Sequence, residues 1–181
     1  MKKLFVILFC LLIASPTFAS KELERLSKKI KNGKLVKIKT YEAYSFYPIQ
    51  EEWYKNSPSE FDALISYPKG EGPFPMVIIV HSSWGPEEFR SQWMTFHKNS
   101  HKKLLKMGIG TMFIDSYSSR GQMASSAADQ FTVPLWSMFM DQFFALEYLS
   151  KDPKVNIKKV GISGHSRGGM VSTLSSEKRL R

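Results

Sequence analysis

The sequence predicts an α/β domain with a parallel sheet and helical crossovers, and two observations carry that expectation. Apolar runs at residues 76–80, 110–115 and 160–163 have the length and composition of strands buried on both faces. Between them, apolar side chains recur at three- and four-residue spacing, the period of helices that cover such a sheet.

The elements follow in order. Leu23, Leu26 and Ile30 space a weak amphipathic helix from Lys21, ended by Asn32-Gly33. Residues 35–60 are aromatic and irregular and read as a strand with a covering loop. Residues 61–67 form a strand closed by Pro68 and the Gly/Pro-rich turn 69–75, ahead of the buried strand at 76–80. Pro86-Glu87-Glu88 opens a helix with acids in its first turn, where the helix dipole favours them. Phe89, Trp93, Phe96 and Leu104 carry that helix to Gly108. After the strand at 110–115 comes a Ser-rich loop, 116–132. Pro134 then opens a helix in which Leu135, Met138, Phe139, Phe143, Leu146 and Leu149 repeat. Asp152-Pro153 breaks it before the third buried strand, 160–163.

The chain is 43% apolar and 13% aromatic, which excludes a disordered tail. Its start differs in kind. Lys2 and Lys3 precede an unbroken apolar run, residues 4–14, followed by Pro16 and Ala19. That run is too short for a bilayer-spanning helix, which takes about 20 residues. The pattern describes a secretory signal peptide cut after Ala19, leaving a periplasmic or secreted protein with no stable membrane anchor. The expected organisation is a signal peptide at 1–19, a basic N-terminal extension at 20–60, and the N-terminal part of a domain at 61–181. The formal net charge is +10, concentrated in residues 21–39, where eight Lys or Arg face only Glu22 and Glu24. No aromatics interleave these cations before Tyr41, so they read as a solvated face rather than a nucleic-acid site. The single cysteine, Cys10, lies within the signal. The mature chain therefore holds neither a disulfide nor a thiolate metal site, and the bulky Phe9 argues against lipoprotein processing.

The last strand runs into Gly164-His165-Ser166-Arg167-Gly168-Gly169, a G-x-S-x-G pattern between strand and helix. This is the setting of a nucleophile elbow, in which the serine hydroxyl stands clear of the sheet edge. Residues two before and two after must lack bulk so that strand and helix can approach, and Gly164 and Gly168 meet that need. The first helical amides, beginning with that of Arg167, then point toward a reacting carbonyl oxygen. A second oxyanion donor is expected from the turn after residue 80, His81-Ser82-Ser83-Trp84-Gly85, through the Ser83 N–H.

From about Phe61 to Gly169 the chain resembles an α/β-hydrolase of the dienelactone hydrolase-like group. The resemblance rests on Val-His-Ser-Ser-Trp-Gly at 80–85, Ile-Asp-Ser-Tyr-Ser-Ser-Arg-Gly at 114–121 and Gly-His-Ser-Arg-Gly-Gly at 164–169. It implies a parallel-sheet α/β-hydrolase fold that hydrolyses a small carboxylic ester or lactone through an acyl-enzyme, with no cofactor. It further implies Ser166 as nucleophile, Ser83 and Arg167 as oxyanion donors, and Arg120 as the partner of an anionic substrate group, with Trp84 at the pocket. The Arg120 spacing is one residue longer than in the group, and an Asp115–Arg120 structural pair is an equal alternative.

Three departures stand out. Founding members of the group use a cysteine nucleophile, whereas this chain has Ser166, which needs an imidazole to take its proton. Ser82 stands where the oxyanion turn usually has glycine. The group's order is nucleophile, acid, histidine, yet residues 167–181 contain neither aspartate nor histidine. His165 adjoins Ser166 with its ring expected to point away, and His81 is read as structural. His97 and His101 sit on a helix expected to be remote from the elbow, where Lys98, Lys102 and Lys103 would repel a metal. The expectation is therefore a truncated hydrolase fold whose elbow strand presents Val160 and Ile162 at an open, association-prone edge. A non-catalytic binding module on the same scaffold is the rival, and a peptidase of the prolyl oligopeptidase type is a second.

Overall fold

The computed structural model describes residues 20–30, 32–90, 93–123 and 132–176. The expected signal segment and much of the Ser-rich loop lie outside them. Strands β1 (Gly33–Tyr41), β2 (Pro58–Ser66), β3 (Phe74–Val80), β4 (Gly110–Asp115) and β5 (Val155–Gly164) form one sheet in the order β1-β2-β4-β3-β5. β3 runs parallel to its neighbours β4 and β5, as the crossover helices require. β2 pairs antiparallel with β1 and β4, so the sheet is mixed, with a parallel core. β1 shows why it sits at the margin. Val36, Ile38 and Thr40 are buried, while Lys37 and Lys39 between them are half-buried and exposed, the alternation of a strand with one wet face. Lys37 reaches across it to Glu60 at 2.7 Å.

Helices α1 (Lys21–Ser27), α2 (Phe46–Gln50), α3 (Trp93–Lys106), α4 (Leu135–Ser150) and α5 (Arg167–Leu174) complete the order. Because strand side chains alternate, each central strand feeds two cores. Ile65, Ile78, Met112 and Ile114 pack with Met138, Phe139 and Leu149 of α4 on one face. Leu64, Ile79 and Phe113 pack with Leu23 and Leu26 of α1 and with Phe89 on the other. α1 stops at Ser27, short of the predicted Asn32-Gly33 end, but Ile30 still joins that second core. Its first turn is held by Ser20, whose Oγ accepts the Leu23 N–H at 3.2 Å.

Three sequence expectations need correction. The helix predicted from Pro86 is two pieces, a 3-10 turn Gly85–Phe89 and then α3, and Phe96 is 59% exposed on α3. Residues 160–163 are not buried on both faces: Val160 and Ile162 are half-buried, and Gly161 and Ser163 are exposed. The reason is position. Among the described residues β5 pairs only with β3, which makes it an edge strand. Phe143 of α4 is 47% exposed for the same reason, since it overhangs an apolar groove at that edge with Leu146, Val160 and Ile162.

A buried charge cluster fastens three of these pieces. Arg120, in the turn after β4, donates from Nε to Glu42 Oε1 at 2.5 Å, just beyond β1. It also makes a two-pronged pair with Asp141 of α4 at 2.8 and 2.9 Å. A fourth bond, of 2.7 Å, reaches the Ser116 carbonyl. Burial opposes the guanidinium charge, but Asp141 and Glu42 hold the arginine above its ordinary pKa. Burial raises the Asp141 carboxyl, with Arg120 pulling against it. Replacing Arg120 by Met strands a fully buried carboxylate, and is expected to cost about 3–5 kcal/mol in urea unfolding. The double variant Arg120→Met/Asp141→Leu should recover most of that loss, because no unpaired charge then remains on α4.

Candidate active site

The register of the parallel core assembles the site. Val80 pairs with Gly164 across β3 and β5, and with Ile114 across β3 and β4, so three strands end at one edge. The turn after β3, the turn after β4 and the β5–α5 junction therefore meet there, where open α/β sheets bind ligands.

At the β5–α5 junction, Ser166 is exposed and adopts φ 51°, ψ −122°. That backbone conformation is costly for any residue but glycine and persists only where its surroundings impose it. Here two glycines do so. A Cβ on Gly168 would collide with the Val80 carbonyl oxygen and lie 2.7 Å from that of His81. A Cβ on Gly164 would lie 2.5 Å from the Gly168 carbonyl carbon. α5 thus starts in direct contact with the end of β3, and Ser166 takes up the sharp turn. The helical ladder begins with Met170 N–H to the Ser166 carbonyl at 3.0 Å. The amides of Arg167, Gly168 and Gly169 consequently have no acceptor within the helix.

Ser166, Arg167 and Ser83 line one cavity of about 550 Å³, within the range of small-molecule sites. The β3 turn is closed by its serine. Ser82 Oγ accepts the Trp84 N–H at 3.2 Å, and its carbonyl accepts the Gly85 N–H at 3.0 Å. Its own N–H donates to Glu88 Oε2 at 3.2 Å. The serine at this position thus supplies a turn-closing acceptor that glycine would lack.

Glu88, 1% exposed, ties the two loops together from beneath. One oxygen takes the Ser82 amide, and the other lies 3.2 Å from Nδ1 of His165, the residue before the candidate nucleophile. His97 Nε2 stands 3.7 Å from the same carboxylate. Burial pushes the Glu88 carboxyl up, but the His97 ring and the Ser82 bonds more than offset this and hold it below the ordinary carboxylate value. α3 is therefore not remote from the elbow, because the Glu88 carboxylate connects them. Glu88 entered the sequence reading only as a helix-start acid, and nothing in its spacing distinguished it from Glu87.

Two sequence-predicted substrate residues lie elsewhere. Arg120 does not line the cavity; its guanidinium is spent on Glu42, Asp141 and Ser116, as described above. The alternative Asp115–Arg120 pair does not form either, since Asp115 accepts from Tyr117 N–H, Ser118 N–H and Ser118 Oγ. Trp84 is 54% exposed at the start of the 3-10 turn and does not line the cavity. The walls are instead Tyr44, Leu135, Trp136 and Met170, of which the sequence pattern marked only Leu135, as an apolar position of its helix.

The histidines are engaged in other contacts. His81 Nε2 accepts the Ser116 N–H at 3.1 Å, which places its proton on Nδ1, 2.7 Å from the Ser82 carbonyl. His101 Nδ1 meets Thr111 Oγ1 at 2.8 Å, and burial lowers its pKa. Among the described residues no cluster of His, Cys, Asp or Glu could hold a metal ion, and no helix is long and apolar enough to cross a membrane.

Two outcomes follow from this geometry. Gly168→Ala is expected to cost about 1–3 kcal/mol in chemical denaturation, as for other forced overpacking. Gly161→Ala, with nothing within 4 Å of the new methyl, should change stability by no more than about 0.5 kcal/mol. The second concerns acid. Glu42 and Glu88 both lie below the ordinary carboxylate value of 4.5 in the folded chain. As pH falls through 4.5 the unfolded carboxyls bind protons first, so the stability these groups contribute is present above that pH and lost below it. Asp141, raised by burial, works in the opposite sense, so the test is differential. Unfolding free energy measured from pH 7 to 3 should fall less steeply in Glu88→Gln than in the parent.

The fold recurs among solved structures, all at low identity. A protein from Klebsiella pneumoniae, assigned as a dienelactone hydrolase, aligns with TM-score 0.51 and 18% identity over 78% of this chain and 54% of its own. A dienelactone hydrolase from Anabaena variabilis aligns with TM-score 0.49 and 18% identity over 62% of this chain and 49% of its own. Est1E from Butyrivibrio proteoclasticus gives TM-score 0.46 and 21% identity over 65% and 41%. The chain thus spans about half the length of these proteins. A search of curated proteins gives no match. Residues 61–180, carrying both the β3 turn and the Ser166 junction, match the family model described as dienelactone hydrolase family, and the chain belongs to that family.

Proposed function

We propose that this chain carries the nucleophile of an exported, cofactor-independent serine hydrolase that cleaves a small carboxylic ester or lactone. The observation that carries the reading is Ser166, exposed on a positive-φ turn and opening onto the same cavity as Ser83 and the first turn of α5. Ser166 Oγ attacks the carbonyl carbon and passes its proton to an imidazole. The carbonyl oxygen gains the negative charge and is met by the N–H groups of Ser83 and Arg167. Collapse breaks the acyl C–O bond, the leaving alcohol takes the proton, and water then cleaves the acyl-serine by the same path. The four histidines of the sequence are placed toward Ser82, Glu88 and Thr111, so the reading takes none of them as the proton acceptor. Export rests on the charged, apolar and small-residue pattern of residues 1–19.

The placement of those imidazoles also favours a second reading, a binding protein that retains the elbow as scaffold. A fluorophosphonate probe, followed by peptide mapping, separates the two. A hydrolase supplied with its base is expected to add the probe at Ser166, and Ser166→Ala should abolish the adduct. No adduct at Ser166 would favour the binding module.

A further inference from the structure

The cavity beside Ser166 is walled on one side by a segment that the family match does not reach. The match begins at residue 61. Tyr44, in the connection after β1, lines the cavity and is 73% exposed. Phe46, the first residue of α2, packs on Trp136 of α4 with ring centroids 5.6 Å apart and a 39° tilt. Trp136 itself lines the cavity, and Met170 of α5, 58% exposed, stands among the lining residues. Exposed rings cost free energy in water and have few rotamers to lose, so they offer flat faces to a partner at low entropic cost. The methionine thioether adapts to aromatic edges.

Charge narrows the ligand further. Among the described residues the cation that lines this cavity is Arg167, and its guanidinium is turned to the Val133 carbonyl and the Met138 sulfur at 8% exposure. Arg120 is held in the cluster with Glu42 and Asp141. Among the described lining residues there is no second cation to pair with a carboxylate, and burying an unpaired one is costly.

We infer that residues 44–46 and Trp136 form an acyl-binding wall that selects an uncharged ester whose acyl part carries a flat ring. The inference rests on Ser166 being the nucleophile only for the word acyl; the binding preference stands independently. The wall is fixed by the same cluster that sequesters Arg120, because Glu42 lies two residues before Tyr44 and Asp141 lies on the helix that bears Trp136.

The test uses Ser166→Ala, which cannot turn over, and ligand-observed NMR titration with three methyl esters: benzoate, butyrate and monomethyl terephthalate. Methyl benzoate should bind at least about threefold more tightly than methyl butyrate, the scale of an aromatic pair. It should bind about tenfold or more tightly than monomethyl terephthalate, the same ring carrying a carboxylate. Adding Tyr44→Ala or Trp136→Leu should weaken methyl benzoate by about two- to tenfold and leave methyl butyrate within about twofold. Circular dichroism establishes that each variant is folded, and the exposed Tyr44 provides the safer substitution. Equal or tighter binding of monomethyl terephthalate, or folded variants that bind methyl benzoate as well as the parent, would overturn the inference. Ring preference without a fluorophosphonate adduct on Ser166 would sink the hydrolase reading and leave the wall intact. An adduct without ring preference would do the reverse.

Discussion

The contact on which the site depends is between two pieces of backbone. Gly168 sits so close to the carbonyl of Val80 that a methyl group has no room, and Gly164 is equally tight against Gly168. That approach forces the chain to reverse within a few residues, and Ser166 absorbs the reversal at φ 51°. A serine in this conformation would relax if the strand and helix could move apart. They cannot easily do so, because β5 is zipped in parallel register to β3 and α5 packs against both. Strain at one residue is thus held by a sheet ladder and a helix docked on it.

Around this contact the polar groups divide into two sets. Glu88 links the turn after β3 to the residue before Ser166, from inside the fold. Arg120, Glu42 and Asp141 link the turn after β4 to the N-terminal segment and α4, at the rim. The first set holds together the two loops that carry the amides of the proposed reaction. The second fixes the aromatic wall and removes a cation from the cavity. The two clusters together make the cavity more apolar than its sequence motifs suggest.

The N-terminal segment is part of this arrangement. β1 extends the sheet beyond β2, α1 covers the Leu64–Phe113 face, and Tyr44 reaches the cavity. Of the basic residues concentrated there, Lys37 and Lys39 lie on the face of β1 opposite Val36 and Ile38, which join the core.

The sequence by itself determined the strands, because buried strands need continuous apolar runs and the runs at 76–80 and 110–115 are among the most buried residues of the chain. It also located the Ser166 junction, since only glycine fits where backbones touch, and two glycines flank that serine at the required spacing. Tertiary structure alone decided the rest. How far the run at 160–163 is buried depends on which strands and helices pack on it, a property no local pattern encodes. Arg120 and Glu42 are 78 residues apart, and their pairing needs the fold to bring them together. Glu88 and Tyr44 likewise became site residues through contacts across the sheet edge, which side-chain type and local spacing do not record.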